Sequence, residues 1–275
     1  MSLRNSLVIL VFSLLAGSFA ASAEFTLYVS TFTNNAIYQY DATGQRSFFA
    51  GGLNGPAGLA IDGSGNLFVA DIYSSTIHQF ASSGEDLGIF ASGLVNPNSV
   101  AFDSSGILYV ANGGNTFGNN YILRFAPDGT QLPGFRLPDV TALYGLAFDP
   151  SGNLYAADRY SNSIHLFSPT GENLGDFASG LADPIGLAFD NSGNLFVANY
   201  TGNTISVFDP SGDLIDTLYS ALQGPAGLAF DLDGNLYVAN LDAGTIRIFS
   251  PTGEDLGDFA TGVPTPWGLA FGVED

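Results

Sequence analysis

One short segment recurs six times along this chain, and its spacing constrains the fold more than any other feature. The copies occupy residues 58–62, 99–103, 145–149, 186–190, 227–231 and 268–272, and three of the six read Gly-Leu-Ala-Phe-Asp. Successive copies begin 41, 46, 41, 41 and 41 residues apart. A period of about 40–50 residues with strand-like content is typical of a β-propeller rather than a helical solenoid. The spacing therefore predicts an all-β propeller.

Each repeat contains the signals for four short strands. In residues 225–265, apolar segments at 227–230, 236–239, 246–249 and 256–259 are separated by polar stretches. Gly234 and Gly253 lie in two of these stretches, where glycine suits the positive φ of a tight turn. The near-continuous apolar segments indicate strands that are covered on both faces, as the blades of a propeller are. Each repeat is therefore predicted to form one four-stranded blade.

The two ends of the chain are complementary fragments of one repeat. The first repeat begins at the second-strand position, where Leu27, Tyr28 and Val29 match Leu236, Tyr237 and Val238. The last repeat supplies only an opening strand, at 268–271. We expect this C-terminal strand to join the N-terminal blade and close a ring of six blades. Closure removes the free strand edges that otherwise favour aggregation.

The N-terminal segment has the features of a secretory signal peptide. Arg4 precedes an apolar run at 7–16, and Ala21-Ser22-Ala23 is a small-residue cleavage site. We expect cleavage after Ala23, a propeller domain over 24–275, and a secreted or periplasmic protein without a membrane span. The chain contains no cysteine, so ring closure rather than disulfides has to provide its stability.

The charge of the chain restricts its partners. It has 26 acidic residues, six arginines, no lysine and a formal net charge of −20. Such a chain is repelled by phosphate backbones, which argues against nucleic-acid binding. Cations, neutral sugars, peptides and basic proteins stay open as ligands. Many of the acids lie in the two sets of turns, which are predicted to share the rim opposite the channel mouth.

The repeat resembles the NHL repeat. Residues 225–240 read Pro-x-Gly-Leu-Ala-Phe-Asp-x-x-Gly-Asn-Leu-Tyr-Val-Ala-Asn, and the resemblance covers 24–275. It implies a six-bladed propeller, a scaffold that hosts binding modules and enzymes alike. Gluconolactonase-like and streptogramin-lyase propellers share this repeat style.

The enzyme resemblances transfer no catalytic residue to this chain. The lactonase likeness implies metal ligands at the middle place of Pro-x-Gly, which here holds Ala57, Asn98, Tyr144, Ile185, Ala226 and Trp267. Only Asn98 in this ring resembles a ligand for a divalent cation. The lyase likeness implies His and Glu in a central site. His78 and His165 fall mid-way along third strands instead, so we expect structural roles for both.

Four residues are predicted to form a ligand site at the channel mouth. Trp267, the single tryptophan, and Tyr144 occupy equivalent positions half a ring apart. Together with Asn98, Arg159 and the long loop at 112–121, they would form a flat aromatic pocket for a sugar or an apolar group. The alternative is that the two rings merely plug the channel.

A second ring of residues lies at the ends of the second strands. It consists of Thr31, Asp71, Asn112, Asp158, Asn199 and Asn240. Asp71, Asn112 and Asp158 come from three consecutive blades and are candidate Ca²⁺ ligands, the one cofactor considered. The alternative is that each residue caps the backbone of a neighbouring loop.

The sequence favours a secreted, monomeric, non-catalytic binding module. Its predicted contact surface is the channel-mouth rim, and its predicted ligand is a protein or a carbohydrate. Two alternatives stay open: a lactonase- or lyase-like enzyme with an atypical central site, and a Ca²⁺-stabilised structural protein. The identity of the six residues at the channel mouth weighs against the enzyme.

Overall fold

A computed structural model describes residues 25–113, 121–137, 140, 142–218 and 221–273. These residues form β-strands and turns, and none of them lies in a helix long and apolar enough to cross a membrane. In chain order the strands are β1 (Phe25–Thr31), β2 (Ala36–Tyr40), β3 (Arg46–Ala50), β4 (Pro56–Ile61), β5 (Leu67–Asp71), β6 (Thr76–Phe80), β7 (Asp86–Ser92), β8 (Ser99–Phe102), β9 (Leu108–Asn112), β10 (Tyr121–Phe125), β11 (Gln131–Arg136), β12 (Leu143–Phe148), β13 (Leu154–Asp158), β14 (Ser163–Phe167), β15 (Asn173–Ser179), β16 (Pro184–Phe189), β17 (Leu195–Asn199), β18 (Thr204–Phe208), β19 (Leu214–Leu218), β20 (Pro225–Phe230), β21 (Leu236–Asn240), β22 (Thr245–Phe249), β23 (Asp255–Thr261) and β24 (Pro266–Val273).

The strands form six antiparallel four-stranded sheets arranged as the blades of a propeller. Blade 1 has the order β24-β1-β2-β3, and blades 2 to 6 each take four consecutive strands, from β4–β7 to β20–β23. The last strand pairs with the first, with Leu27 opposite Phe271 and Val29 opposite Leu269. The predicted six-bladed fold and its closure by the C-terminal strand are both confirmed.

The hydrophobic core lies between neighbouring blades. Phe68 on the second strand of blade 2 contacts the outer-strand Phe90 edge-on, with ring centroids 4.9 Å apart. It also contacts Phe102 on the inner strand of blade 3, at 5.0 Å. Equivalent edge-to-face contacts recur around the ring, and this geometry is favourable for aromatic pairs. Both faces of each blade are therefore covered, as the apolar strands predicted.

Glycine recurs on the inner strands because neighbouring inner strands approach closely. A Cβ on Gly186 would lie 1.9 Å from the carbonyl oxygen of Ala226, and one on Gly227 would lie 2.2 Å from that of Trp267. Blade 3 has Ser99 at this position, and its hydroxyl accepts a hydrogen bond from the Leu146 amide at 3.2 Å. The strands leave a central channel with a cavity of ≈ 90 Å³.

Two turns of a complete repeat lie on the face that we call the lower face: the turn between its first and second strands and the turn between its third and fourth strands. The channel mouth lies on the opposite, upper face. In the first turn of blade 2, Oδ1 of Asp62 accepts hydrogen bonds from the amides of Ser64 and Asn66, both at 2.9 Å. Its Oδ2 accepts a bond from the Asn66 side chain at 2.9 Å. These repeated aspartates therefore serve as turn-forming residues.

Candidate functional site

Tyr144 and Trp267 meet at the channel mouth although they come from opposite blades. Tyr144 lies on β12 of blade 4 and Trp267 on β24 of blade 1, and their rings stack with centroids 6.4 Å apart and an interplanar angle of 27°. Tyr144 is buried, whereas Trp267 is half-buried. Ile185 and Ala226 complete the apolar cluster around them. The pair covers the channel and leaves part of the indole accessible on the upper face.

The aromatic stack continues from Trp267 toward blade 2. Phe32, in the loop between β1 and β2, stacks on Trp267 at 5.4 Å and 30°. Tyr73, in the loop between β5 and β6, contacts Phe32 at 5.6 Å. Tyr73 is 63% exposed. The aromatic surface is thus wider than the channel mouth itself.

Arg159 extends the surface in the opposite direction. Its guanidinium lies 5.2 Å from the ring centroid of Tyr144, 5.7 Å from that of Tyr160 and 5.3 Å from that of Tyr200. Such distances are within the range of cation–π attraction. Nη1 donates a hydrogen bond to the Tyr144 hydroxyl at 3.1 Å.

Acidic residues hold the outer side of the group formed by Arg159 and its tyrosines. Nη2 of Arg159 pairs with Oδ2 of Asp183 at 3.3 Å, and the Tyr200 hydroxyl donates to Asp242 at 3.2 Å. Burial lowers the pKa of Arg159, but its hydrogen bond to Tyr144 and the carboxylate of Asp183 outweigh burial and raise the pKa. The guanidinium is therefore charged at any physiological pH.

We call these connected residues the aromatic platform. It consists of Tyr73, Phe32, Trp267, Tyr144, Arg159, Tyr160 and Tyr200. Sequence reasoning found Trp267, Tyr144 and Arg159 but missed the other four. Those four share a signal in the alignment, because each follows the last residue of a second strand by one or two positions. The platform offers flat apolar ring faces beside a fixed positive charge.

Asn98 lies near the platform but has a different set of contacts. Its side chain is buried, and its Nδ2 donates to the carbonyl oxygen of Leu143 at 3.3 Å. Its own carbonyl oxygen accepts a bond from the Gly58 amide at 3.0 Å. Asn98 therefore links the inner strands of blades 2, 3 and 4, and its role in ligand binding stays a prediction. Residues 114–120 of the long loop lie outside the described residues.

The second-strand ring makes contacts to loop backbone. Both carboxylate oxygens of Asp71 lie 2.9 Å from the Asn54 amide. Oδ1 of Asn112 accepts from the Val95 amide at 2.7 Å, and Oδ1 of Asp158 accepts from the Ala142 amide at 2.8 Å. Within the described ranges no cluster of three His, Cys, Asp or Glu residues is arranged to hold a metal ion. The loop-capping alternative explains these contacts, and the Ca²⁺ assignment stays a prediction.

His165 lies between two carboxylates on its own blade. Its Nδ1 lies 2.8 Å from Oδ1 of Asp176, and its Nε2 lies 3.5 Å from Oδ2 of the buried Asp158. Burial lowers the pKa of His165, but the neighbouring Asp158 and Asp176 outweigh this effect and raise it. His78 lies on β6 of blade 2 and stacks on Phe80 at 6.0 Å. Both histidines lie on third strands, as the alignment predicted.

Comparisons with known proteins show the fold. No protein-family model matches this chain, and no curated protein sequence matches it. A solved nidogen–laminin complex contains a similar chain, with 20% identity and a TM-score of 0.79 over 90% of this chain and 98% of that one.

Two further solved structures resemble this chain. A putative gluconolactonase has 23% identity and a TM-score of 0.68, over 78% of this chain and 80% of that one. A catalytically inactive virginiamycin B lyase from Staphylococcus aureus, solved with quinupristin, has 18% identity and a TM-score of 0.64. The matched regions cover 89% of this chain and 78% of the lyase. At these identities the likeness supports the six-bladed propeller and nothing finer.

Proposed function

We propose that this protein is a non-catalytic binding module that takes its ligand on the aromatic platform. The carrying observation is the unbroken series of ring contacts from Tyr73 through Phe32 and Trp267 to Tyr144. Aromatic surface that stays accessible beside fixed polar groups is a common feature of recognition sites. The loops that carry much of the platform lie on the rigid ring of blades, where binding residues are commonly placed.

A carbohydrate is the ligand class that fits the platform best. The C–H face of a sugar ring stacks on flat aromatic rings, and its hydroxyl groups bond to charged groups at the edge of the site. Arg159 is a fixed donor, while Asp183 and Asp242 are acceptors beside it. A neutral sugar also avoids repulsion by a chain of net charge −20.

A protein partner is the second candidate. The structural neighbour in the nidogen–laminin complex is part of a protein assembly. Tyrosine, tryptophan and arginine are the residues most enriched at the energetic centres of protein interfaces, and the platform contains all three. A basic protein surface would be favoured by the charge of this chain.

The chemistry of the channel ring supports binding over turnover. Its six positions hold Ala57, Asn98, Tyr144, Ile185, Ala226 and Trp267, whose polar groups are one amide, one phenol and one indole N–H, with no carboxylate and no imidazole. A metal-assisted or acid–base reaction needs several carboxylates or imidazoles in reach of the substrate. The lyase and the gluconolactonase among the structural neighbours leave an enzyme as the alternative. With residues 1–23 as its signal peptide, the module would act outside the cytoplasm.

The single tryptophan allows a direct test. Trp267 is the only indole in the chain, so its intrinsic fluorescence reports from the centre of the platform. We expect titration with neutral oligosaccharides, such as hexamers of glucose or of N-acetylglucosamine, to change its emission in a saturable way. Tyr73→Ala removes an exposed ring from the stack and is expected to weaken binding by about tenfold, because stacked rings contribute about 1–1.5 kcal/mol.

A matched control separates binding from nonspecific effects. Leu232 is 80% exposed in a lower-face turn, so Leu232→Ala removes an exposed apolar side chain far from the platform and is expected to leave binding unchanged. If no oligosaccharide changes the emission, the tested sugars are not ligands of the platform, and the result favours the protein partner. Equal weakening by Tyr73→Ala and Leu232→Ala would contradict the platform as the site.

A further inference from the structure

The outer strand of blade 5 lacks an aromatic residue that the other blades have. The outer strands of the other five blades carry a phenylalanine near their end, at Phe49, Phe90, Phe135, Phe177 and Phe259 in blades 1, 2, 3, 4 and 6. In blade 5 the same position is Leu218. This single change between otherwise similar repeats alters the packing between blades 5 and 6.

Elsewhere the outer-strand ring fills a defined slot between two blades. Phe90 packs edge-on against Phe68 at 4.9 Å and contacts Phe125 of the next blade at 6.1 Å. A turn glycine of the following blade lies over the ring: a Cβ on Gly129 would be 3.8 Å from Cε2 of Phe90. The slot is therefore shaped for one six-membered aromatic ring.

Leu218, whose side chain is smaller than that of phenylalanine, occupies the equivalent place. A Cβ on Gly253, the equivalent turn glycine of blade 6, would lie 3.1 Å from Cδ2 of Leu218. The rest of the slot is retained, because Phe196 and Phe230 still form the edge-on pair at 5.0 Å. Blade 5 therefore has the aromatic walls of the slot without its ring.

The missing ring coincides with an enlarged cavity. Between blades 5 and 6 the cavity measures ≈ 340 Å³, and Phe196, Phe230, Phe249 and Leu218 are among its lining residues. The equivalent cavity between blades 2 and 3, where Phe90 is present, measures ≈ 160 Å³. Part of this cavity has aromatic and aliphatic walls, and an apolar space left by a missing side chain can bind a small aromatic molecule that reaches it.

The charge around the cavity indicates which charged group an aromatic ligand bound there would carry. Asp190, Asp216 and Asp233 line it, and none of its described lining residues is basic. A cation beside these carboxylates is favoured, whereas an anion is repelled. Aromatic ring faces also attract a cation.

We propose that the cavity between blades 5 and 6 binds a small aromatic cation of the arylalkylammonium class. The aromatic ring takes the place of the absent phenylalanine, beside Phe196 and Phe249 as Phe90 lies beside Phe68 and Phe125, and the ammonium group lies among the aspartates. This site is separate from the aromatic platform and does not depend on the function proposed for it.

The test compares three small molecules by isothermal titration calorimetry. 2-Phenylethylammonium carries both ring and cation, 3-phenylpropionate carries the ring with a negative charge, and butylammonium carries the cation alone. We expect saturable binding of the first at one site per chain, with affinities at least about tenfold weaker for the other two.

Two substitutions in equivalent positions test the location. Leu218→Phe supplies the missing ring, so we expect it to weaken 2-phenylethylammonium binding at least about tenfold while raising the melting temperature. Phe90→Leu makes blade 2 resemble blade 5. It removes a ring from blade 2 and leaves the cavity between blades 5 and 6 unchanged. We expect this variant to keep the original binding site, with its affinity unchanged.

Each outcome decides the proposal. Absence of 2-phenylethylammonium binding to the unmodified protein overturns it, as does undiminished binding to a folded Leu218→Phe variant. Equal binding of 3-phenylpropionate overturns the assignment of a cation. Loss of binding in Phe90→Leu, with its melting curve still cooperative, places the ligand elsewhere and overturns the site between blades 5 and 6.

Discussion

At the scale of single residues, the distance between inner strands decides which side chains the channel wall accepts. Gly145, Gly186 and Gly227 each face a backbone carbonyl of the next blade, with less than a van der Waals separation available for a Cβ. Backbone atoms cannot move aside as the end of a flexible side chain can. The glycine of the repeat is therefore required by the closeness of the blades rather than by a turn.

Gly186→Ala is expected to lower the free energy of unfolding by about 1–3 kcal/mol, the usual cost of overpacking a tight site. A Cβ there would lie 1.9 Å from the Ala226 carbonyl oxygen. Gly63 is the matched control, because a Cβ on it meets no atom within 4 Å. Chemical denaturation measures both variants. Similar stabilities for Gly186→Ala and Gly63→Ala would show that the inner strands can separate without cost.

The same scale shows what sequence reasoning could and could not find in the site. Trp267 and Tyr144 were found because the repeat alignment places them at one position, and a strand position fixes the side-chain direction. Phe32 and Tyr73 lie in loops, where alignment does not fix the direction of a ring. Leu218 was visible in the alignment as a departure from phenylalanine, but its consequence depends on the packing of two blades.

At the scale of elements, the closing strand is held by a contact that other blades lack. Ser30 is fully buried on β1, where the other five second strands have alanine. Its hydroxyl accepts a hydrogen bond from the Gly268 amide of β24 at 2.7 Å and donates to the Ala57 carbonyl of β4 at 2.6 Å. One side chain therefore joins both termini of the ring to blade 2.

Ser30→Ala is expected to destabilise the protein by about 1–3 kcal/mol, because it leaves a buried amide and a buried carbonyl without this partner. Thr33→Ala is the matched control, since Thr33 also bonds to the closing segment, through Thr265 at 2.8 Å, but on the exposed surface. We expect less than about 1 kcal/mol for the control. Thermal or urea unfolding that finds equal losses would contradict a special role for the buried hydroxyl.

The sequence predicted the ends of the strands less accurately than their number and order. The apolar pattern predicted an inner strand at 227–230 and an outer strand at 256–259, whereas β20 begins at Pro225 and β23 covers Asp255–Thr261. The pairing of β20 with β21 shifts register between Pro225 and Leu228. Such an irregularity changes the period-2 pattern from which strand ends are predicted. Strand number and order were predictable because six copies repeat the same pattern.

At the scale of the whole molecule, the surroundings of His165 predict that stability depends on pH. The folded-state pKa of this histidine is raised above its ordinary value of 6.5 by Asp158 and Asp176, against the effect of burial. His165 and Arg136 both line a cavity between blades 3 and 4, so Arg136 is a second charged group near the imidazole. A raised folded-state pKa means that protonation favours the folded protein. The contribution is complete below the unfolded-state pKa and is lost as pH rises through the folded-state pKa.

His165→Gln is therefore expected to cost more stability at about pH 5.5 than at about pH 8.5. Urea unfolding at both pH values measures the difference between the original protein and the variant. His78→Gln is the control for replacing a third-strand histidine. A cost of His165→Gln that is equal at the two pH values would contradict the role assigned to Asp158 and Asp176.

Closure of the ring also sets the order in which the molecule can be completed. Ser30 and Gly268 are bonded although they are 238 positions apart. During synthesis on the ribosome, blade 1 therefore lacks its inner strand, β24, until residues 266–273 have been made. Until then β1 has an unpaired edge, which can pair with the wrong strand or with another chain. Translation that stops before residue 266 would leave every molecule with that open edge.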